Sequence, residues 1–462
     1  MSELAQAHGL TGARAGARVA AFVRSESALL RLGTAFVVFH VADDNLLQPN
    51  PGTGAADHLV SGLVPIAVLI GAAVAYDRLR AGARASIALL LGFFGVLVGT
   101  EAVYYTRAVG PSGDDYTGLL SIPAGLLLLG VGALTLWRSR RRNDASWWRY
   151  ARRLLVTAAV VFAGVIFLFP VALSYVVTHT LRADVPTPHL GAAYEDVAFT
   201  TSDGLELKGW YIPSRNGATV IVFPGRSGPQ KHARLLTRHG YGVLLFDRRG
   251  EGASEGDPNA FGWAGDRDLH AAVAYLRGRA DVDPLRIGGI GLSVGGEMLI
   301  HAAAHSDAFR AIVSEGASGQ SIRDGLANGD KLDAFLGGGA VTLATAVFTN
   351  GLPPPSLKSE IPKIAPNAVF LVYGEKGQNG SETKPNKGFY AVARDPKQIW
   401  EVPGGQHISG ITTQPDEYGR RVVKFFDREL LGRKDAMTTA KGHGRPGRRC
   451  DGDQMLTVQR RS

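Results

Sequence analysis

The chain has a single cysteine, Cys450, in 462 residues, which excludes an internal disulfide. Between Met1 and Ser27 there is no short apolar core followed by a small-residue cleavage site, so no removable signal peptide is expected. Despite a formal net charge of +9, the arginines do not form a nucleic-acid-binding module: they gather beside apolar stretches and in the C-terminal tail, and no nucleic-acid partner is expected. His301 and His305 stand four apart but have no adjacent glutamate and no evident third ligand, so neither a metal nor a cofactor is expected. Nor does any charged pair fall in the middle of an apolar run, which leaves a transport pathway without support.

What the chain does have in quantity is long apolar stretches. Four of them, Leu59 to Tyr76, Ile87 to Tyr105, Leu119 to Trp137 and Leu154 to Val177, approach the roughly 20 residues that span a bilayer. A weaker fifth precedes them at Leu29 to Leu47, with Arg31, His40, Asp43 and Asp44 near its ends. Arg78, Arg80 and Arg84 follow one span. A second cluster between Arg138 and Arg153 precedes the last, and the positive-inside tendency assigns both loops to the cytoplasm. Five spans then place the N-terminus inside and everything after Val177 outside; four spans are the alternative and leave that last assignment unchanged. The expectation is a multi-pass plasma-membrane protein whose following domain is extracytoplasmic. Trp137, Trp147, Trp148 and Tyr150 are expected at the membrane interface, and Gly95 and Gly99 form a G-x-x-x-G through which two helices could approach closely.

The remainder alternates short apolar runs with helical stretches, as a mostly parallel α/β sheet does. Val197–Thr201 and Leu205–Ile212 form a hairpin pattern. Strands are then expected at Thr219–Phe223, Val243–Phe246, Leu285–Ile290, Ile312–Ser314, Val369–Tyr373 and Ile399–Val402, with helices at Asp266–Arg279, Glu297–Ala304 and Asp416–Leu431. The organisation read from the sequence is a cytoplasmic segment 1–28, a membrane region 29–178 of about five helices, a linker 179–192, an α/β domain 193–432 interrupted by a cap at 318–357, and a basic disordered tail 433–462.

At the centre of that domain stands Gly291-Leu292-Ser293-Val294-Gly295, a G-x-S-x-G between a strand and a helix. Such a sharp turn lifts the serine hydroxyl clear of the backbone, and the small residues around it leave room for strained dihedrals. With Pro224-Gly225-Arg226 after a strand, Asp247 to Ser254 and Pro403-Gly404-Gly405-Gln406-His407 near the end, the stretch from Glu195 to Leu431 resembles the α/β-hydrolase family. The resemblance covers the α/β domain and not the membrane region.

The resemblance implies Ser293 as nucleophile, His407 as general base, and backbone donors at Arg226 and Val294 for the oxyanion. It implies a serine hydrolase of the carboxylesterase or lipase kind, acting on a small-molecule or lipid ester. The family's usual His-Gly is Pro224-Gly225 here, and the acid expected after the strand ending at Tyr373 is replaced by Gly377. Three carboxylates stand open as the third member: Glu382 first, in a lengthened loop that can bring it back toward His407, then Glu375 at the strand end and Glu315 after the preceding strand. A different reading, motivated by Gly377, is a non-catalytic sensor or scaffold on a degenerate hydrolase fold. Asp247, Arg249 and Asp266 are expected to tie loops together. Oligomeric state is not readable from the sequence.

Overall fold

The computed structural model describes residues 25–109, 113, 115–138, 147–180, 182, 184–319, 321, 323–324 and 338–433. The expected segment 1–28 therefore lies largely outside the described residues, as do the tail beyond residue 433 and the loop 139–146.

The N-terminal region is helical: α1 (Glu26–Ala42), α2 (Leu59–Ala75), α3 (Ala81–Val109), α4 (Asp115–Arg138) and α5 (Trp147–Thr178). Three stretches, Leu59–Arg78, Ala81–Tyr104 and Asp115–Arg138, are long and apolar enough to cross a membrane, and the last turns of α5 add a shorter apolar helix, Phe162–Thr178. Their outer faces expose Val64, Val68, Phe93, Leu126 and Phe162, the reverse of a water-soluble bundle. Helices α3 and α4 meet through glycine: a Cβ on Gly95 would lie 3.1 Å from Gly125 Cα, and one on Gly99 would lie 2.9 Å from the Gly118 carbonyl. That is the close approach a small-residue stripe permits. Trp137 and Trp148 are exposed.

The second region is an eight-stranded sheet in the order β1-β2-β4-β3-β5-β6-β7-β8. Its strands are β1 (Glu195–Thr200), β2 (Glu206–Ile212), β3 (Thr219–Phe223), β4 (Gly242–Phe246), β5 (Ile287–Leu292), β6 (Ala311–Glu315), β7 (Ala368–Gly374) and β8 (Lys397–Val402). β1 pairs antiparallel with β2, β2 antiparallel with β4, and the rest pair in parallel. Strand alternation sends Ile221, Phe223, Leu244 and Phe246 to one face, where they pack on α7 (Gly265–Arg277), α8 (Val294–Ala304) and α10 (Thr383–Val392). Val220, Val222, Val243 and Leu245 go to the other, under α6 (Gln230–Arg238) and α11 (Pro415–Leu431). Burial on both faces is why these strands read as continuous apolar runs. Helix α6 was absent from the sequence reading; its Gln230, His232 and Thr237 are buried polar positions that interrupt the apolar period. Within 318–357 lies α9 (Ala340–Phe348).

The two regions touch through named contacts. The Gly256 N–H donates to the Pro51 carbonyl (2.9 Å), the Ala260 N–H to the Val177 carbonyl (2.7 Å), and Asn50 Nδ2 to Asp257 Oδ1 (3.1 Å). The sheet domain thus sits at the end of the bundle that carries loop 43–58 and the C-terminus of α5. The expected linker is docked rather than free: Leu190 is buried, and the His189 N–H donates to Gln230 Oε1.

Candidate active site

Parallel strands direct their C-terminal ends to one edge of the sheet, and loops from β5, β7 and β8 converge there. At the first, Ser293 adopts φ 52°, ψ −124°, a left-handed conformation that only a tightly packed turn sustains. The packing that sustains it is severe. A Cβ at Gly291 would lie 2.4 Å from the Gly295 carbonyl, and one at Gly296 would lie 2.5 Å from Ser314 Oγ. The Ser293 N–H donates to the Glu315 carbonyl at 2.8 Å, tying the turn to the next strand.

From the loop after β8, His407 brings Nε2 to 2.8 Å from Ser293 Oγ. Its Nδ1 lies 2.5 Å from Glu382 Oε1. Gly316, at φ +76°, makes room for the ring: a Cβ there would stand 3.1 Å from both His407 Cε1 and Nδ1. Glu382 is fully buried, and its Oε2 accepts the Gly374 N–H at 3.2 Å. Hydroxyl, imidazole and carboxylate therefore form one continuous hydrogen-bonded chain across 114 residues of sequence separation between Ser293 and His407.

Gly377 now has a physical explanation. A Cβ placed on it would lie 2.2 Å from Glu382 Oε2 and 2.3 Å from Glu382 Cδ. The Glu382 carboxylate fills the space that a side chain at 377 would enter, and the glycine is what admits it. The other two carboxylates are engaged elsewhere. Glu375 is exposed and accepts the Gly404 N–H at 2.7 Å. Glu315 is buried, with Oε1 accepting the Gly410 N–H (2.8 Å) and Oε2 accepting the Tyr418 hydroxyl (2.8 Å), which braces the loop carrying His407 against β6.

Of the two expected oxyanion donors, the structure corrects one. The Arg226 N–H donates to Asp247 Oδ1 at 2.8 Å, and its guanidinium donates to Asp247 Oδ2 through Nε (2.8 Å) and Nη2 (2.6 Å). Both residues are buried, and a carboxylate that accepts from backbone and fork together holds that amide away from a ligand. Val294 is the first residue of α8, so no carbonyl earlier in the helix takes its N–H. Arg249 ties loops through the buried Asp268 on one side and Asp203 on the other (2.8 Å each). His305 Nε2 lies 2.6 Å from Glu360 Oε2.

One group near the site escaped the sequence reading. Glu297, one helical turn after Ser293, is buried, and its Oε1 accepts the N–H groups of Ser318 (3.1 Å) and Gly319 (3.0 Å), the first residues of the interrupting segment. Burial raises its carboxyl to about 7, against those two donors. Its position in an apparently ordinary helix gave no signal.

Residues 174–357 match the family described as X-Pro dipeptidyl-peptidase (S15 family). The uncharacterized protein YfhR of Salmonella typhi is 30% identical over 307 residues, covering 61% of this chain and 98% of the relative. YfhR of Escherichia coli strain K12 is 28% identical over 249 residues, covering 50% and 80% respectively. Among solved structures, an esterase of Pyrococcus furiosus superposes with a TM-score of 0.45 at 26% identity, covering 54% of this chain and 98% of that one.

Proposed function

Because the chain belongs to the α/β-hydrolase family, we propose that it is a membrane-anchored serine hydrolase cleaving a carboxylic ester through an acyl-enzyme on Ser293. The observation that carries this reading is the unbroken chain Ser293 Oγ, His407 Nε2, His407 Nδ1, Glu382 Oε1, at 2.8 and 2.5 Å.

A serine hydroxyl is a poor nucleophile near neutral pH and needs a base within hydrogen-bond reach. His407 takes the Ser293 proton as Oγ bonds to the ester carbonyl carbon. Glu382 holds the ring in the tautomer with its proton on Nδ1 and stabilises the imidazolium that forms. The Val294 N–H faces the developing oxyanion, a contact worth about 3–4 kcal/mol in comparable sites. Collapse breaks the acyl–oxygen bond, and the His407 proton leaves with the alcohol. Water, deprotonated by His407, then attacks the acyl carbon; the bond to Ser293 Oγ breaks, Oγ takes the proton back from His407, and the acid is released. An amide would follow the same steps, so an X-Pro dipeptide anilide belongs in the substrate panel beside esters.

The membrane assignment is supported by three span-length apolar helices and by the shared end of the bundle on which loop 43–58 and the sheet domain meet. With the arginine loops in the cytoplasm, that end is extracytoplasmic, at the plasma membrane. The deciding experiment treats purified full-length protein with a fluorophosphonate and with short and long acyl p-nitrophenyl esters. Wild type is labelled and turns over, and Ser293→Ala does neither. Absence of both label and turnover in folded wild type would refute the assignment.

A further inference from the structure

Helix α9 has the polarity of a surface helix turned inside out. Its principal neighbours are α5 and α2, not the sheet domain. Thr342 and Thr345 are its buried residues, and Thr345 Oγ1 donates to Ser174 Oγ of α5 (3.2 Å), which in turn donates to the Val341 carbonyl (2.9 Å). Phe348 stands edge-on to Tyr175 of α5, with ring centroids 5.7 Å apart, and Asn350 donates to the Asp57 carbonyl (3.0 Å). The outward side carries Leu343, 70% exposed, and just beyond the helix Leu352 is 88% exposed. A water-facing helix buries its apolar side and shows its hydroxyls. Here the hydroxyls face in, and Leu343 faces out, as do Leu59 and Leu63 of the neighbouring α2 and Phe169 and Val176 of α5.

Nine residues make about 13 Å of helix, roughly the depth of one leaflet of a ~30 Å hydrocarbon core. The same end of α5 lies close to the nucleophile. Val177 accepts the Ala260 N–H, and two residues on, Gly262 backs onto α8 so closely that a side chain there would meet Val294 Cγ2 at 2.7 Å. With ~3.8 Å per residue, that path brings Ser293 to within roughly 22 Å of the end of α5.

We propose that residues 338–352 are a membrane-seated part of the cap, and that the substrate class is a long-chain acyl ester held in the adjacent leaflet and delivered to Ser293 along α9 rather than from water. This rests on the hydrolase reading above and adds the substrate's physical state. The bond broken is the same acyl–oxygen bond, with the chain remaining in lipid until the ester reaches the serine.

The test uses the full chain in phosphatidylcholine vesicles on a Cys450→Ser background, with an environment-sensitive fluorophore attached through Leu343→Cys or, as a control, Leu285→Cys. Leu285 is 79% exposed and precedes β5, at the opposite end of the strand from Ser293. Doxyl-labelled lipid is expected to lower emission at position 343 by about half, because an interfacial apolar face sits ~5–10 Å deep, and to leave position 285 unchanged. Equal quenching, or none, at the two positions overturns the seating of the helix. The unlabelled wild type is then given a fluorogenic long-chain ester in the same vesicles and p-nitrophenyl acetate in solution. Cleavage of both supports the proposal. Cleavage of the acetate alone overturns the substrate class while the hydrolase reading stands, and failure on both, with no fluorophosphonate label at Ser293, overturns both together.

Discussion

If Glu382 has taken over the place of an acid at 377, moving the carboxylate back should restore what its removal abolishes. Glu382→Ala leaves His407 Nδ1 without its partner at 2.5 Å and the buried Gly374 N–H without its acceptor at 3.2 Å. Loss of the acid in a serine-histidine-acid array lowers kcat by about 10³–10⁴-fold, or about 4–5.5 kcal/mol. The orphaned amide costs about 1–3 kcal/mol of stability. Gly377→Asp alone is also expected to fail, because its Cβ would lie 2.2 Å from Glu382 Oε2 and would force two carboxylates into one buried space. In the double variant that space is vacant, and the aspartate enters it. The expected outcome is a kcat at least about tenfold above Glu382→Ala, measured with p-nitrophenyl acetate and by the rate of fluorophosphonate labelling. Circular dichroism checks that each variant is folded. A folded double variant no faster than Glu382→Ala would refute the substitution of one position for the other.

Three further outcomes follow from single contacts. Glu315→Ala strands the Gly410 N–H and the Tyr418 hydroxyl and should lower stability by about 2–5 kcal/mol, seen as a fall in thermal midpoint, while folded enzyme keeps kcat within about tenfold. Gly316→Ala places a Cβ 3.1 Å from the His407 ring at φ +76°, so kcat should fall with KM little changed. Glu297 binds its proton more tightly folded (about 7) than its ordinary value of 4.5, so the folded state holds more protons between those values and stability falls as pH rises from about 4.5 to about 7. Glu297→Gln should remove that slope, up to about 3 kcal/mol, in thermal midpoints compared at pH 5 and pH 8.

The sequence alone determined the elements whose signals are local. Strands β3 and β4 are apolar on both faces and declare themselves as buried runs. The elbow at Ser293 is written in adjacent small residues, and span-length stretches are fixed by bilayer thickness against helical rise. His407 was legible from its place after the last strand. Only the tertiary structure decided which of Glu382, Glu375 and Glu315 meets His407, because the paths of the loops carrying His407 and Glu382 are encoded by no periodicity; the carboxylate that does so is the one whose space Gly377 leaves open. The structure also turned the Arg226 amide toward Asp247, a contact between loops 21 residues apart. It seated α9 against α5 through Thr345 and Ser174, 171 residues apart. Hydrogen bonds and packing act over ångströms in space without regard to separation along the chain. Such pairings exist only after the sheet has brought the loops together.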